Sequence, residues 1–288
     1  MNILIYGSKG WIGKQVVDFL DKNQIKYING NERCDNVELL EKEIKLHKPS
    51  HVLCLIGRTH GKVGDKMYGP IDYLEQDGKL LENIRDNLFS PLMLCLICKE
   101  QKIHFTYFGT GCIFNYDGYN DDDGFSENDY PNFFGSSYSI VKGFADSIMK
   151  QYDVLNLRIR MPINSEKNSR NFISKITTYD KICSISNSMS VLPELIPYIF
   201  KMMEQNITGT INLTNPGVIS HNEILELYKE IVDPTFKWTN FSIEEQNQIL
   251  SSKRSNNKLN TEKIEKLFPE IKNIRESIKD CLLNYPVN

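Results

Sequence analysis

Asn2-Ile-Leu-Ile-Tyr-Gly7-Ser-Lys9-Gly10-Trp11-Ile12-Gly13 is the stretch on which the fold turns. Asn2 to Tyr6 reads as a buried strand, the glycines as a tight turn, and Ile12, Val16, Phe19 and Leu20 recur at helical spacing. Such a turn needs residues tolerant of positive φ. It also lets bare backbone approach a pyrophosphate, with the free N–H groups and positive dipole of a helix N-terminus behind it. A glycine-rich turn without a ligand has the same spacing, but the flanking strand and helix favour a dinucleotide. Gly7, Lys9, Gly10, Trp11, Ile12 and Gly13 are therefore candidate cofactor contacts.

Moving outward, strands are predicted at 25–29, 51–56, 103–108 and 154–160, with a helix over 37–47 and a helical region over 71–101 broken near Ser90-Pro91. A polar loop over 115–135 precedes a helix at Tyr138. This alternation predicts an α/β fold, a Rossmann-type doubly wound parallel sheet. From Met161 the rhythm changes, and two helices open with capping boxes, Ser220-x-x-Glu223 and Ser242-x-x-Glu245. The division is a nucleotide-binding domain over 1–160 and, over 161–288, mostly a smaller C-terminal substrate-binding lobe with some segments returning to the sheet.

The composition excludes several classes. A net charge of −3 offers no electrostatic reason for nucleic acid or an anionic membrane. No apolar run reaches spanning length, and Met1 to Tyr6 opens a strand rather than a signal peptide. Seven cysteines without framework spacing point to reduced thiols and a cytoplasmic setting. In that setting the Asn-x-Ser/Thr triplets at Asn206, Asn212 and Asn240 carry no glycosylation meaning. Cys95-x-x-Cys98 lies in an apolar segment and reads as buried helical thiols, and the acidic run Asp121 to Asp123 as a solvated loop face. No cluster has metal-ligand spacing, so no metal is expected.

Tyr138-Ser-Ile-Val-Lys142 carries the chemistry. A chain this rich in Tyr and Lys holds roughly one Y-x-x-x-K by chance, so its weight comes from its place after a nucleotide-binding turn. Hydride reduction of a ketone leaves an alkoxide that must be protonated, and a phenol of pKa about 10 needs a nearby cation to work at neutral pH. Spacing of i, i+4 puts Lys142 on the face of Tyr138. Thr110, at a strand end, can donate to the same carbonyl oxygen. Cofactor choice leans to NADPH, with NADH the alternative. No acidic residue stands directly at the tip of the second strand, and Lys9 and Arg33 can meet a 2′-phosphate.

Phe108-Gly-Thr-Gly-Cys-Ile-Phe114, Pro131-Asn-Phe-Phe-Gly-Ser-Ser-Tyr-Ser139, Arg158-Ile-Arg-Met-Pro-Ile163, Arg170-Asn-Phe-Ile-Ser-Lys175, Asn187-Ser-Met189, Thr214 to Ile224, Phe236-Lys-Trp238 and Arg254-Ser-Asn-Asn257 resemble the nucleotide-rhamnose synthase/epimerase-reductase family. That family lies within the extended short-chain dehydrogenase/reductases, and the resemblance runs over nearly the whole chain. Known from plants, it has relatives in giant viruses, which the Asn/Ile/Lys-rich composition suits. It implies 3,5-epimerisation of UDP-4-keto-6-deoxy-D-glucose and 4-reduction with NADPH. It gives Cys112 the role of epimerase base and Lys175 that of partner acid, with Lys181 a rival. The dTDP-4-keto-rhamnose reductase that lacks epimerase activity carries Asp in this neighbourhood, so Gly111-Cys112 favours both activities in one chain. A reductase without epimerase activity and a non-catalytic NADP-binding regulatory subunit are the rival readings. The resemblance also places Gly57, Arg58 and Met161 by the cofactor, and Thr59, His60, Asn87, Asn171, Arg254 and Asn256 by the substrate or its supporting backbone. A homodimer through the sheet-flanking helices is the superfamily's usual pattern.

Overall fold

The computed structural model describes residues 1–69, 71–118, 122–250 and 252–286. Its strands are β1 (Ile3–Tyr6), β2 (Tyr27–Asn29), β3 (His51–Cys54), β4 (Gly61–Val63), β5 (Lys66–Tyr68), β6 (His104–Thr110), β7 (Leu155–Ile159), β8 (Lys181–Ile182), β9 (Gly209–Asn212) and β10 (Thr239–Asn240). Six form one parallel sheet in the order β2-β1-β3-β6-β7-β9. The chain steps from β1 out to β2, then back across to β3. The reversal leaves a crevice at the carboxyl ends of β1 and β3, where ligands of such sheets bind. β1, β3 and β7 are buried at every position, because helices cover both faces of a parallel sheet.

The helices are α1 (Trp11–Lys22), α2 (Val37–His47), α3 (Leu80–Ile84), α4 (Ser90–Glu100), α5 (Ser137–Met149), α6 (Phe172–Ile176), α7 (Leu192–Glu204), α8 (His221–Ile231), α9 (Ile243–Ile249), α10 (Glu262–Leu267) and α11 (Ile274–Leu283). Ile3, Ile5, Leu155 and Leu157 pack with α1 and α7, while Leu4, Tyr6, Phe105 and Tyr107 pack with α2 and α4. A separate apolar core joins Ile173, Ile224, Leu227, Ile278 and Leu282. Both predicted capping boxes are present. Cys95 and Cys98 are buried on α4, and burial pushes the Cys95 thiol up to about 11. No helix among the described residues is long and apolar enough to cross a membrane. Asp122 and Asp123 are exposed, as a solvated loop face requires, while Asp121 lies outside the described residues.

Three expectations need correction. The helical region begins at Leu80 rather than at Ile71, with turns over 71–78. The second strand begins at Tyr27 rather than Ile25. The helix at Ser90-Pro91 is not broken: a π-helical turn over Arg85–Phe89 joins α3 to α4 with helical dihedrals throughout. The wider turn accommodates a proline that has no N–H to give and would otherwise clash with the preceding turn.

A fully buried charge pair ties α5 to the sheet. Arg158, fully buried, meets Asp146 at 2.7 and 2.8 Å and donates to the Ser126 and Asp129 carbonyls. Removing one partner leaves a naked buried charge, so Asp146→Ala is expected to cost about 3–5 kcal/mol, read as a lower denaturation midpoint. A loss below about 1 kcal/mol would mean the pair is solvated.

Candidate active site

The turn after β1 is built for backbone approach. Gly7 holds φ +89°, and a Cβ on Gly13 would sit 2.2 Å from the Gly7 carbonyl oxygen. Gly10 caps α1 with no side chain on its N-terminal N–H groups, and Lys9 is exposed beside it. Trp11 and Ile12 turn inward against the sheet core. At the tip of β2, Glu43 from α2 is already committed to the Tyr6 hydroxyl and the Asn31 and Glu32 amides. Arg33 is exposed and forked onto Asp35 at 2.7 and 2.9 Å.

Gly57 and Arg58 follow β3 at the crevice. Asn87, in the π turn, accepts from the Arg58 amide and donates to the Arg58 carbonyl and to Asn83. It is fully buried, so it supports this backbone and is placed for no substrate contact of its own. The Arg58 side chain pairs with Asp86 at 2.6 Å and Glu82 at 3.0 Å.

Thr110 and Tyr138 meet at the carboxyl end of β6. Burial raises the Tyr138 phenol, Cys112 adds to the rise, and a hydrogen bond with Thr110 draws it back down. The phenol is thus held protonated. Lys142 is held otherwise than its spacing suggested: its Nζ donates to the Tyr107 hydroxyl and, at 3.1 Å, to the Phe108 carbonyl. Burial lowers it to about 8. Tyr107 escaped the sequence reading because nothing distinguishes it locally from a core aromatic on a buried strand. Cys112 is the one cysteine of the seven that is not buried. Its amide donates to Thr110 Oγ1, and its carbonyl accepts from Ser139.

Lys175, on α6, is half-buried and makes no side-chain hydrogen bond among the described residues. Burial lowers it to about 8; Arg170 and Arg254 push it down further, and Cys112 pulls it up. The rival Lys181 is exposed on the β8–β10 ladder. His60 bonds to Arg170, and burial with Arg170, Arg58 and Lys175 nearby lowers it to about 4, leaving it neutral. The Thr59 carbonyl accepts from Ile71. Arg254 pairs with Asp72 at 2.6 Å. Met161 closes β7 with φ +40°, a strained conformation for a residue before proline.

Two of the expected substrate contacts point elsewhere. Asn171 is fully buried as the cap of α6, donating to the Asn164 and Glu166 carbonyls and accepting from the Asn164 and Ile173 amides. Its hydrogen-bonding capacity is spent. Asn256 accepts from Asn187 and lies buried. Both are asparagines that hold loops together, a use that spacing does not separate from ligand binding.

A nucleotide-type glycine turn at the sheet's switch point, with threonine, tyrosine and lysine gathered at the next strand end, defines a Rossmann-type oxidoreductase of the short-chain dehydrogenase/reductase class. No family model matches the chain. The solved structure of the L780 UDP-rhamnose synthase from Acanthamoeba polyphaga mimivirus is 50% identical and superposes with a TM-score of 0.94, covering 99% of each chain. A bifunctional dTDP-4-dehydrorhamnose 3,5-epimerase/reductase of Arabidopsis thaliana is 42% identical over 96% of this chain and 91% of its own. A trifunctional Arabidopsis 4,6-dehydratase/3,5-epimerase/reductase is also 42% identical, and the chain spans 41% of its length. The chain belongs to the epimerase/reductase family of nucleotide-rhamnose synthesis.

Proposed function

We propose that the protein converts UDP-4-keto-6-deoxy-D-glucose to UDP-L-rhamnose, epimerising C3 and C5 and then reducing C4. The observation that carries this reading is the single accessible thiol, Cys112, at the strand end that also bears Thr110, with Tyr138 facing it. The 50%-identical UDP-rhamnose synthase supports the uridine nucleotide. All seven cysteines are free, which supports a cytoplasmic site of action.

The uncapped start of α1, the missing Cβ atoms at Gly7 and Gly13, and exposed Lys9 fit a dinucleotide. Trp11, Ile12, Gly57, Arg58 and Met161 would line its path. With Glu43 committed and Asp35 paired to Arg33, Lys9 and Arg33 are the cations near the ribose end and Glu32 the remaining carboxylate, and the two cations support NADPH over NADH. When bound, NADPH supplies the hydride for C4.

The chain's own groups handle the protons. In epimerisation, Cys112 as thiolate takes the proton from C3 or C5. The C–H bond breaks, an S–H bond forms, and the electron pair moves onto the C4 oxygen as an enolate held by Thr110 and Tyr138. Lys175 then returns a proton to the opposite face of that carbon, and the S–H proton resets the amine through solvent. In reduction, Tyr138 gives its phenolic proton to the C4 oxygen, with Lys142 holding positive charge beside it.

Incubation with the keto-sugar and NADPH, with the product assigned by NMR, tests the reading. UDP-L-rhamnose supports it; an unepimerised product leaves a reductase only, and bound but unconsumed NADPH leaves a binding module. Because the Lys175 ammonium is the donating form and its pKa lies at about 8, deuterium exchange at C3 and C5 is expected to fall as pH rises through that value. A profile flat to pH 10 would remove Lys175 from the step. Exposed Leu81 (77%) and Phe144 (61%), on the adjacent helices α3 and α5, support a homodimer through this face. Phe144→Glu is expected to halve the mass seen by light scattering.

A further inference from the structure

Arg160 sits just past β7 with 1% of its surface exposed, yet it has no carboxylate partner among the described residues. Buried guanidinium groups are ordinarily paired, as Arg158 is two residues earlier. Arg160 donates instead to neutral oxygens: Asn187 Oδ1 at 2.5 Å, the Ser255 carbonyl at 2.7 Å and Ser255 Oγ at 3.3 Å. Its Nε is buried with no acceptor. The remaining contact is Cys112 Sγ, 4.0 Å from Nη1.

We infer that Arg160 is the fixed counter-charge for the Cys112 sulfur, a positioning residue that aims it for proton abstraction. This rests on the epimerase reading for its purpose, but not for its chemistry. Four ionisable groups bear on the thiol: Arg160 from β7, Tyr138 and Lys142 from α5, and Lys175 from α6. Lys175 makes no side-chain hydrogen bond among the described residues and must release a proton in each turnover, and Lys142 is tied to Tyr107 and Phe108. Tyr138 is neutral. Arg160 alone is a cation that never deprotonates and is held by three hydrogen bonds in one orientation. During abstraction it stays protonated; the thiolate gains the carbon's proton, the charge moves to the enolate oxygen, and Arg160 balances the sulfur again when that proton leaves.

The test uses the full chain. Alkylation of Cys112 by iodoacetamide at pH 7.5, followed by peptide mass, is expected to slow at least tenfold in Arg160→Gln and to recover toward wild type in Arg160→Lys. The pH–rate profile for C3/C5 deuterium exchange should move to higher pH in Arg160→Gln and partway back in Arg160→Lys, which a structural role alone would not produce. A second pair leaves Arg160 in place. Cys112→Asp should melt higher than its neutral isostere Cys112→Asn, because a permanent carboxylate completes the ion pair. Unchanged alkylation in Arg160→Gln, or no melting advantage for Cys112→Asp, overturns the pairing. If both behave as expected while Cys112→Ala still exchanges deuterium at C3 and C5, the pairing stands and the epimerase role of Cys112 falls.

Discussion

Tyr138→Phe is expected to lower kcat for NADPH oxidation by about 100- to 10,000-fold, the range for losing a positioned general acid. The substitution keeps the ring, so the packing of Tyr138 against Tyr73 and Leu74 survives and the fold should hold. What disappears is the proton bound for the C4 oxygen. No other described group replaces it. Thr110 can donate a hydrogen bond, but giving up its proton would only move the alkoxide onto an alcohol of similar acidity, and Lys142 is held by Tyr107 and the Phe108 carbonyl. Burial keeps the phenol protonated at neutral pH, so the group waits in the donating form rather than as a phenolate. KM for the keto-sugar should change little, since the lost interaction belongs to the transition state. Steady-state NADPH absorbance with a parallel thermal melt measures this; activity above about a tenth of wild type would take Tyr138 out of the role.

Cys112→Ala is expected to cut C3 and C5 deuterium wash-in from D2O by about 100-fold or more, the usual scale for removing an acid–base group. The thiol stands where its backbone amide is bonded to Thr110 and its carbonyl to Ser139, so the sulfur is aimed by main-chain contacts that alanine retains. The two activities therefore separate. A keto-sugar already carrying the L-rhamno configuration needs only Tyr138 and Thr110, and the variant should still reduce it. The unepimerised ketone should give little UDP-L-rhamnose. Equal wash-in by variant and wild type would place the base elsewhere, and the bifunctional reading would need another residue.

Much of this site is local in the chain and so could be read from it. The glycine turn lies within seven residues of β1, Tyr138 and Lys142 are one helical turn apart, and Cys112 is two residues beyond Thr110. The π turn was misread as a break because proline signals only that a regular helix cannot pass, and a widened turn meets that demand as well. Asn171 and Asn256 were legible as important asparagines but not as structural ones. An amide's use depends on which groups surround it, and those come from distant segments.

By itself the sequence determined the elements that short-range physics governs: strand and helix periodicity, the turn that only glycine can make, and the ionisable types on one helix face. Tertiary structure decided how each ionisable group is charged and held. It pinned Lys142 to Tyr107, set His60 against Arg170 and, among the described residues, left the Lys175 side chain without a hydrogen bond and buried Arg160 beside Cys112 with no carboxylate to balance it. The reason is that desolvation and ion pairing depend on distance in space, through an interior that screens charge far less than water does, and the chain order carries no record of that distance.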